Sequence, residues 1–130
     1  MSQVKYAELV LLGTGGGPRI WAARSQPASA IIVDGIVYIV DAGNGVTVQL
    51  AKAGIDTNAI KSVFITHNHS DHVADYGTLL LRTWQSGHKG PINCFGPPPL
   101  KKMTNVKRQK YFIYFPRQKN LAYLIPLFYR

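Results

Sequence analysis

A chain of 130 residues and 14.4 kDa has room for one small domain, and with 46% apolar and 16% charged residues it is neither a disordered chain nor a coiled coil. Its one cysteine, Cys94, excludes an internal disulfide framework and a thiolate metal cluster, and its apolar runs are too short for a membrane span. The net charge of +9 is unevenly placed: residues 1–100 hold seven Lys/Arg against six Asp/Glu, whereas residues 101–130 hold eight Lys/Arg and no acid. A basic tail argues for nucleic-acid binding less strongly than a basic face does. The N-terminus has no long apolar core of the signal-peptide kind, so a cytoplasmic chain is expected.

In chain order, Glu8 to Leu12 reads as an apolar strand running into Gly13-Thr-Gly-Gly-Gly-Pro18, a turn that proline ends. Ala30–Val33 and Ile36–Val40 flank Asp34-Gly35, the strongest short-range hairpin signal. Asn44 is the expected N-cap of a short helix from Val46 to Ala53, closed by Gly54. Ser62–Thr66 is a strand by composition, and His67-Asn-His-Ser-Asp-His72 follows as a polar loop. Val73 to Ser86 has helical spacing, with Trp84 on its apolar side and Gly87 as its stop. Pro91–Phe95 is the last strand, with Cys94 as a small buried hydrophobe. The order β-β-β-α-β-α-β predicts an α/β fold: a hairpin feeding a partly parallel sheet, with helices on one face.

From about residue 105 the pattern changes. Residues 101–130 hold seven of the fourteen aromatics, and no Gly follows Gly96. Pro116 and Pro126 break the apolar patches, so neither helical nor strand period is sustained. This basic-aromatic segment reads as a tail that does not pack with the body; aromatic-basic interleaving also suits a single-strand nucleic-acid surface.

Three of the four histidines, His67, His69 and His72, fall within six residues, with Asp71 among them. Imidazole and carboxylate are ligands for Zn²⁺ or Fe²⁺. His67 and His69 are two apart just past a strand, so in extended backbone they point the same way and can grip one metal. Asp71 and His72, at the start of the next helix, are placed for a second metal about 3.5–4 Å from the first. The cluster falls at the carboxyl end of a strand, where open α/β sheets bind ligands.

The run His67-Asn-His-Ser-Asp-His72 resembles the H-x-H-x-D-H motif of the metallo-β-lactamase superfamily. Leu12-Gly-Thr-Gly-Gly-Gly-Pro-Arg19, Val40-Asp-Ala-Gly-Asn-Gly-Val46, Gln49-Leu50, Phe64-Ile-Thr-His67, Asp75-Tyr-Gly77 and Gly96-Pro-Pro98 resemble its ribonuclease Z and arylsulfatase-like branch, over about residues 8–104. The resemblance implies an αβ/βα sandwich and a metal-dependent hydrolase acting on phosphodiester, sulfate or related ester bonds through a metal-bound hydroxide. It implies His67 and His69 on one Zn²⁺ and Asp71 and His72 on a second, with Mn²⁺ or Fe²⁺ as substitutes. Asp71 would also orient the hydroxide, and Asp41 would hold the metal loop. The implied substrate is an anionic ester, RNA among them.

Complete members of that branch are longer, and their second half supplies a further histidine for one metal, a bridging aspartate and a late histidine for the other. Here no histidine follows His88 and no acid follows Asp75. The expected organisation is therefore the N-terminal half of such a domain, residues 1–104, then a divergent tail, 105–130, as a frameshift or premature stop would produce. Half a ligand set predicts weak, partial metal binding and an inactive fragment. The alternative is a non-catalytic basic fragment that binds nucleic acid or a protein through its tail.

Smaller assignments complete the reading. Arg19 and Arg24 could meet an anionic substrate, and His88, in Ser-Gly-His-Lys-Gly, is a solvated or substrate-side loop residue. The Gly13–Gly17 loop lacks the Gly-Lys-Ser/Thr of a P-loop and reads as a tight turn near the site. The strands Ile31–Val33, Val37–Val40 and Val63–Ile65 are apolar on both faces, which suits a sheet covered on both sides. With helices for only one side, self-association through the uncovered face is expected, with no membrane partner.

Overall fold

The computed structural model describes residues 6–105. Asp34 and Gly35 both have positive φ, +49° and +81°, which two-residue hairpin turns demand. They join β2 (Ala28–Val33) to β3 (Ile36–Val40) in an antiparallel pair, with β1 (Ala7–Gly13) antiparallel on the far side of β2. Helix α1 (Val46–Lys52) leads to β4 (Ile60–Phe64), parallel to β3. Helices α2 (Ser70–Val73) and α3 (Tyr76–Gln85) lead to β5 (Asn93–Phe95), parallel to β4. The five-stranded sheet therefore runs in simple chain order, β1 to β5. Right-handed crossovers advancing in one direction place their helices on one face, and α1 and α3 touch each other.

Register sorts the side chains. Val10, Ala30, Ile39, Val63 and Cys94 form one cross-strand row. It faces the helices, with Val46, Leu50, Tyr76 and Leu79 fully buried over it. The neighbouring row, Leu11, Ser29, Val40, Phe64 and Phe95, faces the other way. There Leu11 is 64% exposed, and Phe64 and Phe95 stack with ring centroids 5.0 Å apart. No helix among the described residues covers this second face.

Several expectations shift. Asn44 is not the cap of α1: Gly45 holds that position at φ +92°, with no side-chain cap bond. Its N–H donates instead to Asp75 Oδ2 at 2.7 Å. β4 begins and ends two residues early, at Ile60 and Phe64; beyond its end the Thr66 N–H is taken by Asp41 Oδ1 at 2.8 Å rather than by a strand. The helix expected from Val73 to Ser86 begins only at Tyr76, and a separate short helix, α2, takes Ser70–Val73 out of the expected polar loop. In an unbroken helix the Asp75 N–H would donate to Asp71; here it donates to the Ala42 carbonyl, and the Ala42 N–H donates to the His72 carbonyl. The loop after β3 is thus stitched into the helix ladder. Gly43 is what allows so close an approach, since a Cβ there would strike the Asp71 carbonyl oxygen. Gly87 stops α3 at φ +92°, and Cys94 is buried, as expected. Trp84 is half-buried rather than core. Of the tail, residues 105–130, only Asn105 is described, within a helical segment at 99–105; the other expectations for it lie outside the described residues.

Candidate functional site

β1 is parallel to β3, so the chain leaves β1, β3, β4 and β5 at the same edge of the sheet. The Gly13–Gly17 loop, Asp41 and the histidine run all follow those carboxyl ends, which is where open α/β sheets gather their chemistry.

Asp41 organises the cluster. Its backbone is left-handed, φ +62°, a conformation aspartate tolerates better than most residues. Its buried carboxylate accepts from the Thr66 N–H at 2.8 Å and from the Thr66 hydroxyl at 2.8 and 3.0 Å. It also meets His72 Nδ1 at 2.7 Å. The Thr66 hydroxyl in turn lies 2.9 Å from His67 Nδ1. Its proton is committed to Asp41, so it accepts from His67 Nδ1–H. One carboxylate therefore sets two imidazoles, one directly and one through a hydroxyl, and leaves both Nε2 atoms free to ligate.

The rings gather tightly. His67 lies 4.6 Å from His69 and 4.0 Å from His72 between ring centroids. Asp71 is buried, and its Oδ2 accepts from the Gly17 N–H at 2.7 Å. Burial pulls the Asp71 pKa upward. The Gly17 N–H, its own backbone N–H and the nearby His72 and His69 outweigh that and hold it below the ordinary carboxylate range.

The donor set has the chemistry of a zinc or iron site. His72 Nε2 and Asp71 Oδ2 stand 3.5 Å apart, close to the roughly 3.4 Å separating two ligands on one tetrahedral zinc. Among the described residues, however, no group of three or more His, Cys, Asp or Glu converges on one metal position. The fit is a two-donor grip, short of a complete ligand set.

The structure thus brings together His67, His69, Asp71, His72 and Asp41. Arg19 and Arg24 flank Trp21, whose indole N–H donates to Gly16, next to the Gly17 that holds Asp71. His88 lies apart. Its Nδ1 is 3.1 Å from the Asn58 carbonyl, at the amino end of β4 and the opposite edge of the sheet. Sequence reasoning missed Thr66 and Gly17. A hydroxyl immediately before the first ligand was a usable signal for Thr66; Gly17 lies in the loop read as a tight turn near the site, but nothing local gives its N–H to Asp71. It also missed Asp75, whose carboxylate holds the Gly45 N–H and so fixes the loop carrying Asp41.

The fold and this loop cluster define a member of the metallo-β-lactamase superfamily with ribonuclease Z-like homology. Human tRNase Z, short form, superposes with a TM-score of 0.71 at 24% identity, over 92% of this chain and 42% of that one. The metallo-β-lactamase fold protein YhfI from Bacillus subtilis gives 0.65 at 20% identity, over 76% and 40%. The chain belongs to the family of anti-Pycsar protein Apyc1, whose family model matches residues 7–103. It is also 40% identical over 93 residues to a ribonuclease Z of Mycobacterium sp. (strain KMS), covering 70% of this chain and 32% of that protein. A ribonuclease Z of Picrophilus torridus is 38% identical over 92 residues, covering 70% and 29%. The chain thus spans about a third of the length of the curated relatives it matches.

Proposed function

We propose that the chain carries the first half of a metal-dependent hydrolase acting on phosphodiester or related anionic ester bonds, and that it is inactive by itself. The observation that carries the reading is Asp41 bracing His72 directly and His67 through Thr66. A solvated polar loop has no need of a buried carboxylate that sets two imidazole rings. In this reading His67 and His69 hold one metal and Asp71 and His72 a second. Bound there, the metals would supply Lewis-acid charge at the reacting oxygens. Asp41 and Thr66 orient the imidazoles, and Gly17 orients Asp71. The ribonuclease Z relatives favour a phosphodiester, RNA included, over a sulfate ester. Two donors per metal fall below the usual three protein ligands of a catalytic zinc, so metal binding by this chain is weak and partial.

The test has two parts. In a zinc competition titration the chain binds substoichiometrically, and His67→Ala or His69→Ala reduces the binding further. Fusing residues 1–104 to the remaining portion of a ribonuclease Z relative should produce phosphodiester cleavage that a chelator abolishes and Asp71→Ala removes. Tight stoichiometric zinc on a monomer of the unfused chain would overturn the half-site reading. A folded, zinc-loaded fusion without cleavage would overturn the hydrolase reading.

The open sheet face supports a proposal about partners: a second copy of this chain covers it. The rows through Leu9 and Leu11 contain no charged residue. Residues 106–130 carry six Lys/Arg and no acid, and that face offers no carboxylate to pair with them; burying unpaired cations is costly. Another copy brings an uncharged apolar face of the same shape. Among the described residues no helix is long and apolar enough to cross a membrane.

A further inference from the structure

A cavity of about 180 Å³ opens between the turn at 20–26 and helix α1, lined by Trp21, Arg24, Ser25, Asn44, Gln49 and Lys52 among others. Its wall is built. The guanidinium carbons of Arg19 and Arg24 lie 4.8 and 5.4 Å from the Trp21 ring centroid, within cation–π reach. Trp21 and Arg24 are joined by a backbone bridge, and the Trp21 indole N–H donates to the Gly16 carbonyl at 3.2 Å. Gln49 Nε2 donates to Ser25 Oγ at 3.0 Å, tying the turn to α1, whose last turn carries Lys52. No acidic side chain lines the cavity, and among the described residues neither Arg19, Arg24 nor Lys52 forms an ion pair.

Cations held on a fixed aromatic support without a counter-charge are prepared for an anion. The guanidinium fork matches a phosphate in two parallel hydrogen bonds, and lysine adds a point charge. We propose that this cavity is a phosphate-binding subsite, in which Arg24 and Lys52 grip one phosphate group while Trp21 holds the Arg24 fork in place. The phosphate belongs to a nucleic-acid strand or to a free phosphate compound. Gly16 and Gly17 connect the subsite to the histidine cluster, since one holds Trp21 and the next holds Asp71. The subsite rests on the hydrolase reading only in making the held phosphate part of that enzyme's substrate.

The test is binding by the full chain with chelator present, followed by quenching of the Trp21 indole, with Trp21→Phe as the blank. The probes are inorganic phosphate, adenosine 5′-monophosphate and a short single-stranded oligonucleotide. Arg24→Ala should weaken binding about tenfold or more, and Arg24→Lys should recover only part of it, because the fork is lost. Lys52→Ala should weaken it less. For the oligonucleotide, each lost cation should lower the slope of log affinity against log salt by about 0.7. Both side chains are exposed, so the variants should keep the wild-type circular dichroism. Tightest binding of the oligonucleotide assigns the phosphate to a strand; equal binding of all three probes assigns it to a free phosphate. Binding unchanged by Arg24→Ala and Lys52→Ala, including oligonucleotide binding carried by the basic tail alone, would overturn the subsite. Because chelator is present throughout, Arg24-dependent binding alongside an inactive fusion would sink the hydrolase reading and leave the subsite standing.

Discussion

Neighbouring rows of the same sheet meet opposite surroundings. The row through Ile39 lies under α1 and α3, where Ala30, Ile39 and Val63 are wholly buried. One residue along each strand, the rows through Leu9 and Leu11 face outward, with both leucines 64% exposed. Both sets are uncharged and mostly apolar, the outward rows adding Ser29, Ser62 and Asn93, so composition distinguishes them only weakly. What distinguishes them is the supply of helices: right-handed crossovers that advance in one direction deliver the described connecting helices to one side. A strand that is apolar on both faces records where a cover is needed, while the connections decide which cover this stretch of chain provides. The histidine cluster at the edge of the sheet is incomplete in the same sense, with donors in place and, among the described residues, no trio converging on one position.

The sharpest way to break this comparison is truncation on the two faces. Leu50→Ala or Ile39→Ala should lower unfolding stability by about 2–5 kcal/mol in urea melts, from lost burial and the cavity left behind. Leu9→Ala, measured at a concentration low enough to keep the chain monomeric, should stay within about 0.5 kcal/mol. Equal losses at Leu9 and Leu50 would mean that both faces are covered.

A charge on the open face probes what it meets. Phe64→Glu puts a carboxylate into the outward row beside Phe95 and should weaken self-association more than tenfold in sedimentation, because association would bury it unpaired. The monomer itself should lose on the order of 1 kcal/mol, from the ring stacking on Phe95. A wild-type chain that stays monomeric at high concentration would refute the second-copy proposal.

A last probe is Cys94, on the covered face. Burial raises its thiol pKa from 9.0 to about 11. The folded state thus favours the neutral thiol, and this contribution is fully present below the unfolded pKa. It is lost as pH rises from about 9 through the folded value near 11. Wild type should therefore lose up to about 2 kcal/mol over that interval relative to Cys94→Ala. At neutral pH the native thiol should resist alkylation until urea exposes it. Rapid alkylation of the native chain would show that the covered face is open.

Much of this was legible in the residues. Asp34-Gly35 specified its hairpin because two positive φ angles in succession suit few other pairs. Gly54 and Gly87 marked helix ends for the same conformational reason, with φ of +67° and +92°. The spacing of His67, His69, Asp71 and His72 identified the cluster, because that chemistry has few other uses. The division of the second helix was not legible. Val73, Tyr76 and Leu80 keep helical spacing straight through it, and the break comes from the Ala42 backbone, some thirty residues earlier, entering the ladder. Asn44 misled because it has the right chemistry for a cap, while the tertiary role of Gly45 took the capping position.

The existence of the strands, the Asp34-Gly35 hairpin, the glycine stops of α1 and α3 and the ligand-type residues follow from interactions within a few residues of themselves, where backbone preference and side-chain period act. The bracing of the site does not. Asp41 reaches Thr66 and His72 across 25 and 31 residues, and Gly17 reaches Asp71 across 54. Such contacts exist only once the sheet has brought the ends of β1, β3 and β4 to one edge. The hydrogen bond a distant residue will accept depends on where the fold places its partner, and no local preference of either residue encodes that.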